Sequence, residues 1–425
     1  MNRNNAYRRW LRWLLPGLEV KRWLLLLMAA ILVIDLGASY ALKAVYSEVT
    51  FPGWVATLTL QFWPKPVRAA IFTVGGLSVL IFSIYMLQRS VLGPFLPGAE
   101  NGPSTMEMIY TFRTRRRGPR LVAVGGGTGM STLLRGLKQY TSNLAAVVTV
   151  ADDGGSSGRL RDEYRILPPG DFRQCLVALA DAEPLVKELF NLRFKEGSLD
   201  GHSFGNLFIM AMAEVTGNFE TALRESGRVL AVRGTIIPST LHDVTLVASV
   251  NGAFVEGESQ IPRQNAPISR VFLKPDDILL NPEAALAIAQ AELIVVGPGS
   301  LYTSILPNLM VPGMIRCIRE SPALKVFVCN LASQPGETDG YHVSHYLKTL
   351  HDHVGENLFD FVVVNSNSNH MPTGGQNLVV FDHEQAVRLA EGSKFIGGDV
   401  VNVAIPSHHD PDKLARLIMK RVWES

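Results

Sequence analysis

Residues 121–161 read LVAVGGGTGMSTLLRGLKQYTSNLAAVVTVADDGGSSGRLR, and the fold follows from how that stretch divides. Leu121 to Val124 and Leu144 to Val150 are short, continuous apolar runs rich in valine, the composition of strands buried on both faces. Between them, Ser131 to Tyr140 has the length and spacing of a helix. The pattern continues outward. Leu293 to Val296, Val326 to Cys329 and Phe361 to Val364 are further buried-strand runs, and Glu283 to Ala291 and Tyr341 to His351 are helical stretches between them. This alternation predicts an α/β domain over residues 121–425, a mostly parallel sheet with helices on both faces. One departure is Val244 to Val250, Asn251-Gly252 and Ala253 to Gly257, which reads as a β-hairpin inserted on the parallel scaffold.

The 425 residues are 47% hydrophobic and 18% charged, with a formal charge of +2 that hides a split. Residues 1–120 carry 15 Lys and Arg against 5 Asp and Glu; residues 121–425 carry 25 against 33. An acidic main domain whose arginines form no long run disfavours a nucleic-acid partner. The composition also excludes collagen-like, disordered and disulfide-framework classes. Three cysteines, Cys175, Cys317 and Cys329, without a C-x-x-C, suit a reducing compartment and argue against structural zinc.

Residues 23–42 (WLLLLMAAILVIDLGASYAL) and 67–88, whose apolar part ends at Leu87, are each long enough to cross a hydrocarbon core of roughly 30 Å. Arg and Lys crowd before the first stretch, in residues 1–22, and after the second, in residues 89–120, whereas residues 43–66 hold only Lys43 and Lys65 against Glu48. The positive-inside bias therefore predicts a multi-pass hairpin in the cell membrane, with an external loop over 43–66 and both termini cytoplasmic. A cleaved signal peptide is the other reading of the first stretch, but the run is long for one and a second apolar stretch follows. Asp35 within the first span is expected to face the partner helix or another chain, and its role stays open. Residues 89–120, rich in Gly-Pro pairs and ending in an arginine cluster, read as a basic linker beside anionic lipid.

Chemistry concentrates at the ends of the predicted strands. Gly125, Gly126, Gly127, Thr128 and Gly129 join a strand to a helix, where bare backbone amides and a helix N-terminus favour an anion. No Gly-Lys-Ser/Thr closes this loop, and Gly129 comes one place early for G-x-G-x-x-G, so it is neither a P-loop nor a standard dinucleotide loop. After the second strand come Asp152, Asp153, Gly154, Gly155, Ser156, Ser157 and Arg159. Acids there also fit a dehydrogenase's ribose contact, but paired carboxylates followed by Arg159 and Arg161 suit Mg²⁺-bridged or nucleotide-diphosphate recognition better. Asp171 and Arg173 follow a Pro-Pro-Gly turn; His202, Ser203 and Asn206 crowd a helix start; Gly297, Pro298, Gly299, Ser300 and Tyr302 close another strand. Loops at the carboxyl ends of parallel strands converge on one crevice. A Ser/His nucleophile at 202–203 is disfavoured, since adjacent residues seldom face each other and no G-x-S-x-G elbow is present. His342, His345, His351 and His353, like His408-His409-Asp410, lack metal-ligand spacing of the H-E-x-x-H kind.

Taken together, VAVGGGTGMSTLLRGLK, VTVADDGGSSGRLR, PPGDFRQCLVAL, GHSFGNLF, VGPGSLYTSILPNLMVPG and CNLASQPGETDGY resemble the gluconeogenesis factor (YvcK-like) family of the CofD-like superfamily. The resemblance covers most of residues 121–425 and not the apolar segments before them, which many family members lack. It implies a Rossmann-like fold that binds nucleotide sugars, notably UDP-N-acetylglucosamine, and a role in cell shape and cell-wall precursor balance during gluconeogenic growth. Its motifs place the ligand on the loops named above. The related CofD branch implies an alternative: a Mg²⁺-dependent 2-phospholactate transferase acting on a deazaflavin, in which Asp152 and Asp153 would hold the metal. QPGETDGY, Gln334 to Tyr341, looks more like the YvcK side, which favours binding without turnover. The expected partners are a UDP-sugar, the bilayer through residues 23–42 and 67–88, and cell-wall synthesis proteins; the oligomeric state is open.

Overall fold

The computed structural model describes residues 53–60, 62–92, 115, 118–181, 184–369, 372 and 376–424, together with residues 31, 32, 34, 35 and 39. The chain divides into two compact units, Met1–Arg113 and Thr114–Ser425.

In the first unit, α1 (Gly53–Leu58) precedes α2 (Lys65–Leu92). At 1.5 Å per residue the 28 residues of α2 reach roughly 42 Å, and Lys65–Phe82 has a mean hydropathy of 1.5. Phe72, Val74, Ile81 and Phe82 of this helix are exposed. Among the described residues, one helix is therefore long and apolar enough to cross a membrane by length and composition. It starts before residue 67 and runs past 88, and part of the segment expected to be a loop is the helix α1. The expected span 23–42 lies mostly outside the described residues, as does most of the linker.

The second unit is built on a seven-stranded, all-parallel sheet. Its strands are β1 (Leu121–Gly125), β2 (Leu144–Val148), β3 (Thr235–Pro238), β7 (Leu293–Val296), β8 (Leu324–Val328), β9 (Phe361–Asn365) and β10 (Lys394–Gly398), in the order β10-β9-β8-β7-β1-β2-β3. β1 lies at the centre and is buried along its whole length, as the unbroken apolar run requires. The chain runs outward from β1 to β3 and then returns to lay β7 on the other side of β1. With right-handed crossovers, the two legs send their helices to opposite faces. The order reverses between β1 and β7, and that is where an open parallel sheet leaves a crevice beyond its carboxyl ends.

On the outward leg lie α3 (Gly127–Leu137), α4 (Gly155–Tyr164), α5 (Pro169–Leu179), α6 (Pro184–Asn191), α7 (Phe204–Thr216) and α8 (Phe219–Val229). Met130, Leu133, Leu134 and Leu137 of α3 are all within 1% of complete burial, which fixes the helix rising from the glycine loop. On the return leg lie α9 (Pro282–Gln290), α10 (Leu306–Leu309), α11 (Met314–Glu320), α12 (Val343–Val354), α13 (His383–Leu389) and α14 (Pro411–Ile418). The hairpin is present as β4 (Thr245–Val250) and β5 (Ala253–Glu256), joined by Asn251 and Gly252 at φ 50° and 81°, the backbone that an Asn-Gly turn supplies. β6 (Ile268–Lys274) pairs with β4 and completes a separate three-stranded antiparallel sheet.

Candidate functional site

The glycine loop is pinned from below and from the side. Asn308 Nδ2 donates to the Gly125 carbonyl at 2.8 Å and to the Ser304 carbonyl at 2.7 Å. Gly129 lies so close to the Pro298 carbonyl that a side chain there would strike the loop after β7. The absence of a Cβ is thus what lets the β1 and β7 loops close on each other. Gly127 has φ 63°, a left-handed conformation that turns the chain from Gly126 into α3. Thr128 reaches out to Gln174 of α5.

Asp171, in the first turn of α5, faces this loop. Its carboxylate lies where a side chain at Gly126 would be, beside Gly127. Asp152 folds back on its own turn: Oδ1 accepts the Gly154 amide at 2.9 Å, and Ser157 donates its hydroxyl. Gly170 packs against Ser157 and Asp152, so the acidic turn and the start of α5 are one contact. Asp153 turns away, accepting the Ser259 amide at 2.8 Å from the segment after β5. That segment also carries Glu258 toward Asp152, Asp153, Asp171 and Glu337.

Burial and mutual repulsion shape these carboxyls. Burial first, then Asp152, pushes Asp171 up to about 7. Burial, then Asp152, Glu337 and the other acids, pushes Glu258 up to about 8. Asp152 is also raised by burial. The bases nearby are spent elsewhere: Arg173 donates to Asn206 Oδ1 at 3.0 Å and Asn191 Oδ1 at 2.7 Å, and Arg159 to the Asp200 carbonyl at 2.9 Å. Arg161 pairs with Asp243 at 2.7 Å and donates to the Val244 carbonyl.

His202, Ser203 and Asn206 serve different ends. Ser203 caps α7 by accepting the Asn206 amide. His202 Nδ1 meets Ser156 Oγ at 3.0 Å, and Asn206 Nδ2 donates to the same oxygen at 3.1 Å. Ser156, at the start of α4, is 3% exposed and has both partners satisfied, so the trio clamps α4 to α7. Burial lowers His202, which keeps the ring neutral.

Across the crevice, Asn330 brackets Gly299, accepting its amide at 3.1 Å and donating to its carbonyl at 2.8 Å. Asn330 also donates to Gln334, which donates to Ser300. Ser300 and Thr303 both donate to Glu337 Oε1, at 3.2 and 3.3 Å. Glu337 Oε2 has no partner among the described residues, and burial pushes the group up to about 7. Tyr302 is 2% exposed and hydrogen-bonds Ile268 O and Tyr341, so it props the small sheet rather than lining the crevice.

Asp152 and Asp153 do not fit a shared metal seat. One binds its own turn and the other the segment after β5, and among the described residues no three His, Cys, Asp or Glu side chains group to hold an ion. The histidines expected to lack a metal role have other partners: His345 Nδ1 accepts the His342 amide, His353 Nε2 accepts the Val271 amide, and His351 pairs with Glu356. Sequence reasoning missed Asn308, Asn330, Glu258 and Glu337. Asn308, Asn330 and Glu337 stood inside quoted motifs, which was the available signal.

Residues 121–401 match the family profile described as 2-phospho-L-lactate transferase CofD. A putative gluconeogenesis factor from Nostoc sp. is 41% identical over 97% of this chain and 92% of its own length, an alignment that reaches into the N-terminal region. The gluconeogenesis factor of Bacillus subtilis is 44% identical over 72% of this chain and 99% of its own. A crystal structure of a UPF0052 family member from Bacillus halodurans, 42% identical, aligns with a TM-score of 0.67 over 71% of this chain and 99% of that one. With an all-parallel sheet, a crevice at the reversal of strand order and these matches across its length, the chain belongs to the gluconeogenesis factor family of CofD-like proteins.

Proposed function

We propose that the crevice binds a nucleotide sugar, UDP-N-acetylglucosamine first among them, and that the protein is a membrane-anchored regulator of cell shape and cell-wall precursor balance rather than a catalyst. The observation that carries this reading is the convergence of the β1, β2 and β7 loops with the start of α5 at the point where strand order reverses. Amides and hydroxyls there offer an extended ligand many polar contacts. The buried Ser156–His202–Asn206 trio and the neutral His202 supply no exposed nucleophile, which favours binding over turnover. Anchoring through residues 23–42 and 67–88, with both termini cytoplasmic, would raise the protein's effective concentration beside membrane-bound wall-synthesis partners.

The test is thermal unfolding of the full-length chain in mild detergent with UDP-N-acetylglucosamine, UDP-glucose, GDP and NADH. A ligand at a hundred times its dissociation constant stabilises the fold by about 2.7 kcal/mol, a shift of a few degrees. No shift at millimolar UDP-sugar sinks the reading. The second reading, a CofD-like phospholactyl transferase, rests on the family match over residues 121–401. Turnover of a GDP-activated donor with a deazaflavin alcohol in Mg²⁺ would establish it, and none would remove it.

A further inference from the structure

The crevice lies at the carboxyl ends of the strands, and the amino ends carry a second charged surface that the nucleotide-sugar reading leaves unused. Around β1, β2 and β3 this edge is basic. Arg115, where the chain enters the second unit, donates Nε to the Gln139 carbonyl at 2.9 Å. Lys138, at the end of α3, donates Nζ to the Ala180 carbonyl at 2.8 Å, just past α5. Arg233, just before β3, pairs with Asp181, and the Ala180–Val232 bridge holds these groups side by side. α6, next in the chain after Asp181, adds Lys187. Burial first, then Lys187, pushes Lys138 down to about 8, with Arg233 and Arg115 adding to a repulsion that Asp181 only partly offsets. Glu292 stands before β7 and Asp360 before β9, so the attraction for anions is greatest on the β1–β3 half of the edge.

Apolar surface adjoins these cations. Leu185 and Leu189, one turn apart on α6, are 73% and 42% exposed, although Phe190 of the same helix is buried. Exposed leucines among basic side chains make the kind of surface that lies on an anionic bilayer. Residues 93–114 alone separate Arg115 from the end of the apolar helix α2 at Leu92, and Arg113, Arg116 and Arg117 adjoin it in sequence. A tether that ends on the patch delivers this face to lipid before any other.

We propose that this corner of the second unit docks on an anionic lipid surface, with Arg115, Lys138, Lys187 and Arg233 on the headgroup phosphates and Leu185 and Leu189 in the acyl boundary. The inference rests on the membrane-anchored reading and goes beyond it, naming the face that meets the bilayer. Because that face is the amino edge of the sheet, the crevice at the opposite edge stays open to a soluble ligand.

The experiment sediments residues 114–425 with vesicles of phosphatidylcholine, pure or with one third phosphatidylglycerol, at low and at high salt. The relative from Bacillus halodurans is matched over 99% of its chain by 71% of this one, so the α/β unit folds by itself. Binding is expected on the anionic vesicles at low salt, and at least about tenfold more weakly on neutral vesicles or at high salt. Lys138→Gln with Lys187→Gln should weaken it by about thirtyfold, roughly fivefold for each basic residue. Lys187→Gln alone, about fivefold weaker, serves should the double variant fail to fold by circular dichroism. Leu185→Ser with Leu189→Ser should weaken binding several-fold and leave its salt dependence unchanged. No preference for anionic lipid, or folded variants that bind as wild type does, overturns the proposal. Equal binding to polyglutamate that ignores the leucine changes assigns the patch to an acidic protein and overturns it too. The full-length chain, washed from membranes at alkaline pH, separates the two readings. Its release, with residues 114–425 still binding anionic vesicles, strikes the anchored reading alone; its retention, with residues 114–425 indifferent to lipid charge, strikes this inference alone.

Discussion

The two rims of the crevice are built on opposite principles. On the β7–β8 side, neutral amides hold the loops, Asn308 and Asn330 on the Gly125 and Gly299 backbone and Gln334 on the Ser300 hydroxyl, with Glu337 a buried carboxyl among them. On the β2–α5 side, carboxyls crowd one another, with Asp152, Asp171 and Glu258 all driven toward their protonated forms by burial. One rim has most of its hydrogen bonds made before any ligand arrives; the other holds charge that burial makes unfavourable. Shape is therefore set by the first rim, and the free energy that a ligand can alter is stored in the second.

The comparison breaks most visibly at Asn308, which is fully buried and carries two hydrogen bonds to loop carbonyls. Asn308→Ala removes the side-chain donor from both carbonyls, leaving the Gly125 carbonyl the Thr149 amide, and opens a void, at a cost of about 3 kcal/mol in urea unfolding and a many-fold loss of ligand affinity. A loss under about 1 kcal/mol would mean that the first rim is not fixed in this way. The second rim makes the opposite prediction. A carboxyl raised from 3.8 to about 7 binds its proton more tightly folded than unfolded. Its contribution therefore falls as pH rises from about 4 through 7, because the folded state holds the extra proton. Asp171→Asn should then stabilise the ligand-free fold at pH 8 by about 2 kcal/mol, discounted for the solvent that reaches the group, by less than about 1 kcal/mol at pH 5, and by nothing measurable at pH 3. A gain that does not vary with pH would assign the effect to something other than charge.

The same division decides what could be read from the sequence. The glycine loop, the acidic turn, the β7 loop and the Asn-Gly hairpin were legible because each is a local demand, for backbone room, a left-handed φ or a buried apolar run. β3 and β10 were not. Both lie at the edges of the sheet, where a strand needs no continuous apolar run, and they end in Pro238 and in Gly397-Gly398. The role of Asn308 was illegible for a different reason: it stands inside a quoted motif, but its partner Gly125 lies 183 residues away, and no local demand announces that meeting. Glu258 likewise becomes a site residue only because the small sheet delivers it to the acidic rim.

Two smaller changes sharpen the boundary between holding the site and touching the ligand. Ser156→Ala removes the partner of His202 Nδ1 and Asn206 Nδ2 in a buried place, so about 1 kcal/mol of stability should be lost. Ligand affinity should stay within a factor of about two, measured by calorimetry, if the trio is a clamp. A collapse of affinity with stability intact would bring it into the ligand's contact surface.

Arg159 tests the smallest effect. Its guanidinium is exposed and held by the Asp200 carbonyl, so Arg159→Ala should change stability by less than about 0.5 kcal/mol. If that hold persists with ligand bound, affinity should fall by no more than about threefold, since an exposed charge at a distance is screened. A loss of a hundredfold would mean that Arg159 leaves Asp200 and swings onto the diphosphate. The acidic rim would then acquire its counter-charge only on binding, and the two rims would differ in motion as well as in charge.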